Sequence, residues 1–153
     1  MLMEYDGKQF ANICKDDLKL SSDEEKKALD EKNEGAKDML DEMKGYLGDE
    51  VTAVKFSDSL GSHAVCLSSE GYVSIDMAKI LSRMPGGNQG VKAQLVLEIN
   101  SNHQIAEKLF KLFAEDKDKL QKYTKILYNE ARLVSGLDVE NPTEFADMVS
   151  ELL

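Results

Sequence analysis

The amino-acid sequence predicts an α+β fold, in which a small three-stranded sheet is accompanied by helices and the chain ends in long helices. Two segments, 51–57 and 63–69, have strand-like alternation or β-branched residues, and a third, 93–100, is nearly all apolar in its middle. Most of the remaining chain has the apolar periodicity of amphipathic helices. The predicted order is helix, two strands, helix, strand and three helices, and this segregation is typical of α+β rather than doubly wound domains.

Length and charge limit the classes of function. With 153 residues the chain is one ordinary domain, or one domain with an appendage, and it is long enough to bury a real core. Its 29 acidic and 19 basic residues give a net charge of -10. Because that charge repels phosphate backbones and anionic membrane surfaces, we expect neither nucleic acid nor membrane as a partner.

Cysteine usage and the lack of targeting patterns indicate a cytoplasmic protein. The two cysteines, Cys14 and Cys66, are far apart in sequence, so a disulfide framework or a zinc cluster is not expected. The sequence has no apolar run of about 18 residues, and its first residues lack the basic and apolar regions of a signal peptide.

The first part of the chain predicts an incomplete element followed by one long helix. Residues 4–20, EYDGKQFANICKDDLKL, look like a strand and turn entered part-way, which suggests a piece of a longer protein. Ser22 followed by Glu25 is a capping box and Gly48 is a stop signal, so we predict a helix over 22–47. Its first half is polar all round and is expected to be solvated, whereas its second half carries an apolar stripe for docking.

The middle of the chain predicts a strand pair, an amphipathic helix and a buried strand. The turn-rich DSLG separates strands 51–57 and 63–69, which we expect to pair with each other. A helix follows over 73–84 and ends at Pro85. Strand 93–100 is expected to be buried on both faces because its middle is continuously apolar.

The helix at 73–84 has an apolar stripe whose role its spacing leaves open. The stripe consists of Val73, Met77, Ile80, Leu81 and Met84. Packing on the sheet is the ordinary use of such a stripe. Methionine, however, is common on promiscuous binding surfaces, and Tyr72 and Ile75 offer apolar area on another side of the helix. One of the two apolar sets can therefore remain exposed.

The remainder of the chain predicts three helices. Asn100 or Asn102 caps the first, and the second begins at residue 116 or 117 and ends at Gly136. The third has the strongest signal, NPTE at 141–144, which supplies a cap, a proline at the first position and a glutamate at the third.

The last two helices carry more apolar surface than one docking face requires, with an arc of roughly 200° or more on the first of them. The stripes are Leu120, Tyr123, Leu127, Ala131 and Val134 on one helix and Phe145, Met148, Val149 and Leu152 on the other. Two alternatives remain open. Both stripes complete the domain's own core, or they meet a second copy in an intersubunit four-helix bundle, which the surplus of apolar surface favours.

The sequence does not indicate catalysis or metal binding. His63 and His103 are far apart, and neither has Cys, Asp or Glu at metal-ligand spacing, so each is expected to cap a helix or to lie on the surface. PGGNQG at 85–90 lacks the Lys-Ser/Thr of a phosphate loop and precedes a strand. Carboxylates lie on solvated helix faces beside lysines. We therefore predict no catalytic residue, no metal site and no enzyme activity in this chain.

Four segments, in register, resemble the carboxy-terminal domain of the 90-kDa heat-shock chaperones, and the bacterial members are the most similar. The segments are SDSLGSHAVCLSSEGYVSIDMAKIL (57–81), LEINSNHQI (97–105), ILYNEARLVSG (126–136) and NPTEFADMVSELL (141–153). Residues 4–20 resemble the last segment of that family's middle domain. The resemblance implies that residues 1–20 are the end of the middle domain or a linker and that residues 21–153 are the carboxy-terminal dimerisation domain.

The resemblance also implies roles for the apolar surfaces. In this family the last two long helices form the four-helix bundle of a homodimer, and in bacterial members the amphipathic helix contacts unfolded or partly folded client proteins. The implied dimer residues are Leu120, Tyr123, Leu127, Ala131, Val134, Phe145, Met148, Val149 and Leu152. The implied client residues are Val73, Met77, Ile80, Leu81 and Met84. ATP and Mg²⁺ belong to an amino-terminal domain of the full-length family protein, so no cofactor is expected here.

The sequence departs from the family at a few positions. Ser101 and Gln104 stand where the family usually or often has proline, which leaves the start of the following helix less constrained, and Val73 stands where Met is common. The alternative from another class is an acidic homodimeric adaptor or scaffold domain that binds no clients. A small enzyme is a third alternative, supported only by the abundance of carboxylates.

Overall fold

The architecture is α+β, as predicted, with a small mixed sheet and several helices. The computed structural model describes residues 4–5, 8–9, 23–71, 73–83 and 93–152. The helices in that part of the chain are α1 Asp23–Gly35, α2 Lys37–Leu47, α3 Ile75–Arg83, α4 Gln104–Glu115, α5 Lys117–Val134 and α6 Pro142–Ser150, with a 3-10 turn at Gly48–Glu50. The strands there are β1 Glu4–Tyr5, β2 Lys8–Gln9, β3 Ala53–Ser57, β4 Val65–Glu70 and β5 Gln94–Asn100. Strands β1 and β2 form a separate antiparallel pair.

The three-stranded sheet has the order β3-β5-β4, so the predicted pairing of segments 51–57 and 63–69 is wrong. Strand β5 lies between them, parallel to β3 with Phe56 opposite Ile99 and antiparallel to β4 with Leu67 opposite Leu97. Its last five residues are all buried, which confirms burial on both faces. A central strand has a neighbour on each edge and is covered on both faces. Placing the most apolar strand there therefore removes the most apolar surface from water.

The core lies between one face of the sheet and helices α2, α4 and α5. Side chains alternate along the strands, and those on this face come from all three of them. They are Val54, Phe56, Val65, Leu67, Leu97 and Ile99. The helices add Met39, Leu40, Met43, Leu47, Ala106, Leu109, Leu120, Leu127 and Ala131. The stripe predicted on the second half of the first long helix therefore docks as expected.

The region predicted as one helix over 22–47 is two helices, with Ala36 between them at φ -101 and ψ 3. The prediction that its first half is solvated is also wrong for one side of α1. Asn33 Oδ1 accepts a hydrogen bond from the amide of Phe56 at 2.8 Å, and its Nδ2 donates to the Phe56 carbonyl at 3.2 Å. The Asn33 side chain thereby satisfies backbone groups of the edge strand β3, and a hydropathy pattern does not register such polar docking.

The predicted starts of the last two helices are confirmed. Asp116 Oδ1 accepts from the Lys119 amide at 3.0 Å at the start of α5. Asn141 Oδ1 accepts from the Glu144 amide at 3.2 Å at the start of α6. Gly136, just beyond α5, has φ 68, the left-handed conformation that glycine adopts without strain and that commonly follows a helix end.

The predicted cap of α4 by Asn100 or Asn102 is wrong, because His103 occupies that position. Its Nδ1 accepts from the Ile105 amide at 3.2 Å, which confirms the capping role expected for a histidine in this chain. Asn100 is buried instead and donates to the carbonyls of Gly61 and His63, each at 2.9 Å. Its amide thus fastens the β3–β4 connection to the end of β5.

Candidate functional site

Helix α3 presents an exposed apolar surface, formed by Met77 and Ile80, that we call the α3 surface. Their side chains are 49% and 60% exposed. Val73 is half-buried, and Ile75 packs against the core. Among the described residues of the predicted stripe, Met77 and Ile80 are therefore the two that are exposed. The side chain of Leu81 and all of Met84 lie outside the described residues, and the described helix covers Ile75–Arg83 rather than the predicted 73–84.

Contacts at its start and in its second turn position α3. At its start, the Ser74 hydroxyl accepts from the Met77 amide at 3.1 Å, and the Ser74 carbonyl accepts from the Ala78 amide at 2.9 Å. The first contact satisfies an amide that the first turn of a helix leaves without an internal partner, and the second is the first i→i−4 bond of the helix. In its second turn, Lys79 Nζ donates to the carbonyl of Ser135, at the end of α5, at 2.5 Å.

Three of the predicted dimer residues, Leu120, Leu127 and Ala131, are buried in the core of the single chain. Thr124, on the same face of α5, is also fully buried, and its hydroxyl donates to the Leu120 carbonyl at 2.7 Å. These side chains have no exposed area with which to meet a second copy. This part of the α5 stripe therefore completes the core of its own chain, which is the first of the two alternatives that the sequence left open.

The remaining predicted dimer residues lie at or near the surface of the α5–α6 hairpin. Val134 and Leu152 are 43% and 40% exposed, and Leu133, which was not predicted, is 54% exposed. We call these three residues the hairpin surface. Half-buried beside them are Tyr123, Phe145, Met148 and Val149. Helix α6 buries none of its residues within the chain.

Ion pairs show that α6 runs antiparallel along α5. Near the start of α5, Lys122 pairs with Glu151, beyond the end of α6, at 2.6 Å. Near the end of α5, Arg132 pairs with Glu140, just before α6, at 3.2 Å. The exposed apolar residues of the hairpin therefore lie at both of its ends.

Arg132 anchors the connection between the two helices. Its Nε donates to the Asp138 carbonyl at 2.8 Å, and its Nη1 donates to the Tyr128 hydroxyl at 3.2 Å. The Tyr128 hydroxyl donates in turn to a carboxylate oxygen of Glu50 at 2.9 Å. Burial, and then this bond to Glu50, raises the pKa of Tyr128 to about 12. The network ties the hairpin to the 3-10 turn that follows α2 and restricts the angle at which α6 leaves α5.

The other face of the sheet carries a small polar cluster. Glu98 is buried there, accepts from the Ser68 hydroxyl at 2.5 Å and lies 3.4 Å from Lys55 Nζ. Within the ranges that the structure describes, no group of three or more His, Cys, Asp or Glu is arranged to hold a metal ion. None of the helices described there is long and apolar enough to cross a membrane.

The comparison with protein families decides the identity of the chain. A family model described as Hsp90 protein matches residues 1–153, which is the whole chain. The chain belongs to the Hsp90 family. Its curated relatives include a chaperone protein HtpG of Clostridium perfringens strain 13, which is 49% identical over 153 residues. HtpG proteins of Clostridium acetobutylicum and Bacillus subtilis strain 168 are 46% and 42% identical over the same length. These matches cover 100% of this chain but 24% of each relative, so the Hsp90-family chain spans about a quarter of their length.

Sequence reasoning did not select several residues that define the surfaces of this Hsp90-family chain. Leu133 lies to the side of the α5 stripe, and its exposure follows only from which neighbours the helix acquires. Arg132, Lys79 and Ser135 make their contacts across long sequence separations or through backbone carbonyls. The signal that could have indicated Arg132 is a basic residue in the last turn of a helix, which is too common to select it. Lys79 lies in the middle of α3 and has no such signal.

Proposed function

We propose that residues 21–153 are the carboxy-terminal dimerisation domain of a bacterial Hsp90-family chaperone, and that residues 1–20 are the end of its middle domain or a linker. In this proposal the chain forms a homodimer through the α5–α6 hairpin and contacts unfolded or partly folded client proteins through α3. Family membership and the chaperone names of the relatives support the chaperone role. The two exposed apolar surfaces support the division of tasks.

The observation that carries the dimer proposal is the position of α6. This helix has Phe145, Met148 and Val149 on one side, yet a single chain only half-buries them and fully buries none of its residues. An amphipathic helix gains most of its stability from burying its apolar face, so a helix of nine residues needs a further partner. A second copy supplies one, because two antiparallel hairpins pack as a four-helix bundle.

The burial of Leu120, Leu127 and Ala131 refines the proposed interface. Those residues support α5 from inside each protomer, while Val134 and Leu152 are exposed and are the residues that we propose contact the partner. Leu133 and the half-buried residues of α6 complete the proposed contact. Such bundles have the size of ordinary specific interfaces, on the order of 1,200 to 2,000 Å² in total.

Light scattering of the purified chain tests the dimer. We expect the mass of two chains at micromolar concentration, and the mass of one chain when Val134→Glu and Leu152→Glu are combined, because a bundle interface cannot solvate two buried carboxylates per protomer. Met77→Glu combined with Ile80→Glu is the matched control, since it introduces the same two charges at exposed apolar residues outside the hairpin. A wild-type chain that is monomeric throughout this range contradicts the proposal.

The client proposal rests on the α3 surface. Met77 and Ile80 are accessible while the neighbouring Ile75 anchors the helix to the core. Methionine adapts its shape to varied apolar partners, which suits a site that meets many unfolded sequences.

Replacing Met77 and Ile80 together with serine tests the client surface. We expect binding of an unfolded model protein to weaken about tenfold, which corresponds to ~1.4 kcal/mol of lost apolar burial. Thermal stability should not change, because both side chains are already exposed. Ile75→Ser is the contrasting control and should lower stability. If the chain dimerises but the Met77 and Ile80 variant binds the unfolded protein as the wild type does, the acidic adaptor becomes the better description.

The place of this domain in the whole chaperone follows from dimerisation. Joining two protomers raises the effective concentration of their remaining domains, so the contacts between them become intramolecular. On this proposal ATP and Mg²⁺ bind in the amino-terminal domain of the full-length protein, and no residue of this chain is assigned to them. The protein acts in the cytoplasm, in the folding of other proteins.

A further inference from the structure

Three structural elements meet at Ser135, the residue that ends α5. Its amide donates to the Ala131 carbonyl at 3.0 Å, which closes the last turn of the helix. Its hydroxyl accepts from the amide of Leu67, on β4, at 3.3 Å. Its carbonyl accepts from Lys79 Nζ, on α3, at 2.5 Å. A single residue therefore links the end of α5 to the sheet and to α3.

The contact from Lys79 has a clear electrostatic basis. The last carbonyl groups of a helix have no partner within it, and the helix dipole places partial negative charge there. A lysine ammonium at that end satisfies one carbonyl and complements the dipole. The side chain of Lys79 is 23% exposed, whereas that of Asp76, which lies 3.5 Å from the same ammonium, is 80% exposed. The solvated pair with Asp76 contributes little, whereas the bond to the Ser135 carbonyl is short and partly buried.

The acceptor is itself held in place. Strand β4 is an edge strand, and the Leu67 amide bonds to the Ser135 hydroxyl outside the sheet ladder. Gly136 adds no side chain beside this contact, whereas a Cβ built at that position would lie 3.2 Å from Lys79 Nζ and would shift the ammonium by a few tenths of an ångström. The carbonyl is thus a fixed point on the sheet and not the frayed end of a helix.

We propose that Lys79 is a positioning residue for the α3 surface. Its bond to the Ser135 carbonyl sets the orientation of α3 against the end of α5, so the client-contacting helix and the dimer helix move as one unit. This inference rests on the proposed function, because the orientation of α3 affects client binding only if α3 contacts clients. The bond itself and its effect on α3 are testable without a client and without a dimer.

Hydrogen exchange of the α3 amides in the whole chain tests the proposal. We expect Lys79→Met to speed exchange of the Met77 and Ala78 amides about fivefold, the effect of losing one cation at a helix end. Lys79→Arg should keep the slow exchange, because it retains the cation and its donors. Lys111→Met, at an exposed lysine of α4, controls for the loss of charge.

Ser135→Ala separates the two bonds of the junction, since it removes the hydroxyl but keeps the carbonyl. We expect faster exchange at Leu67 and a smaller effect on α3 exchange than that of Lys79→Met, because the carbonyl that accepts from Lys79 remains. The proposal is overturned if Lys79→Met leaves α3 exchange unchanged, or if Ser135→Ala speeds it as much as Lys79→Met does. Failure of the proposed function gives a different pattern, in which Lys79→Met loosens α3 while the Met77 and Ile80 serine variant leaves client binding intact.

Discussion

Leu127 and Val134 lie seven residues apart on α5, and replacing each with alanine should have different consequences. Leu127 is 4% exposed within one chain, in the core formed with the sheet and α2. Removing most of a buried leucine side chain costs ~2 to 5 kcal/mol, because transfer free energy is lost and a cavity remains. For a domain of this size, each kcal/mol lowers the melting temperature by roughly 2 to 4 °C. The midpoint of the range, about 3.5 kcal/mol, corresponds to a decrease on the order of 10 °C.

The assay is urea unfolding combined with light scattering under native conditions. We expect Leu127→Ala to lower the free energy of unfolding while the native protein keeps the mass of a dimer at micromolar concentration. Val134→Ala should leave the fold intact and shift the dimer–monomer equilibrium, an effect that dilution amplifies. If Leu127→Ala yields a monomer that is as stable as the wild-type monomer, Leu127 belongs to the subunit interface, and the assignment of this face of α5 to the core is refuted.

Two further predictions concern the polar contacts that hold the elements together. Asn33→Ala should cost about 1 to 3 kcal/mol in urea unfolding, because it leaves the amide and carbonyl of Phe56 without their partner, and Asn33→Asp should cost less because it keeps the acceptor. An unchanged stability would show that α1 is not docked through this residue. The raised pKa of Tyr128, about 12 against an ordinary value of 10.0, gives stability that is complete below pH 10 and is lost as the pH rises towards 12. The stability difference between wild type and Tyr128→Phe should therefore decrease over that interval, and a constant difference would contradict the burial of this hydroxyl.

The fold class and the last two helix starts could be predicted because their signals are local. A cap such as Asp116 or Asn141 acts on amides two or three residues away, so the sequence contains both partners in one short segment. The strand order could not be predicted in the same way. Whether strand 63–69 pairs with its predecessor or with β5 depends on burial of the whole sheet, and a turn signal between two strands does not determine it. The cap of α4 was assigned to Asn100 or Asn102 because asparagine is a preferred cap residue. The Nδ1 atom of His103 accepts from an amide in the same way and takes that position.

The candidate surfaces were predictable as helices but not as exposed residues. Periodicity places Met77 and Ile80 on one side of α3, but it does not say that Ile75 is the residue that docks. On α5 the wide apolar arc indicates two neighbours, yet the sequence does not say which part faces the core. The bond from Lys79 to Ser135 joins residues 56 positions apart through a backbone carbonyl, and no sequence pattern encodes it.

The central claim is that α6 obtains its stability from a second copy of the chain. Hydrogen exchange of the α6 amides at a series of protein concentrations tests this most directly, with the buried strand β5 as the internal reference. We predict that dilution to the monomer removes protection from α6 and leaves β5 protected, because a single chain fully buries no residue of α6. Protection of α6 that is the same in the monomer and at high concentration would contradict the account.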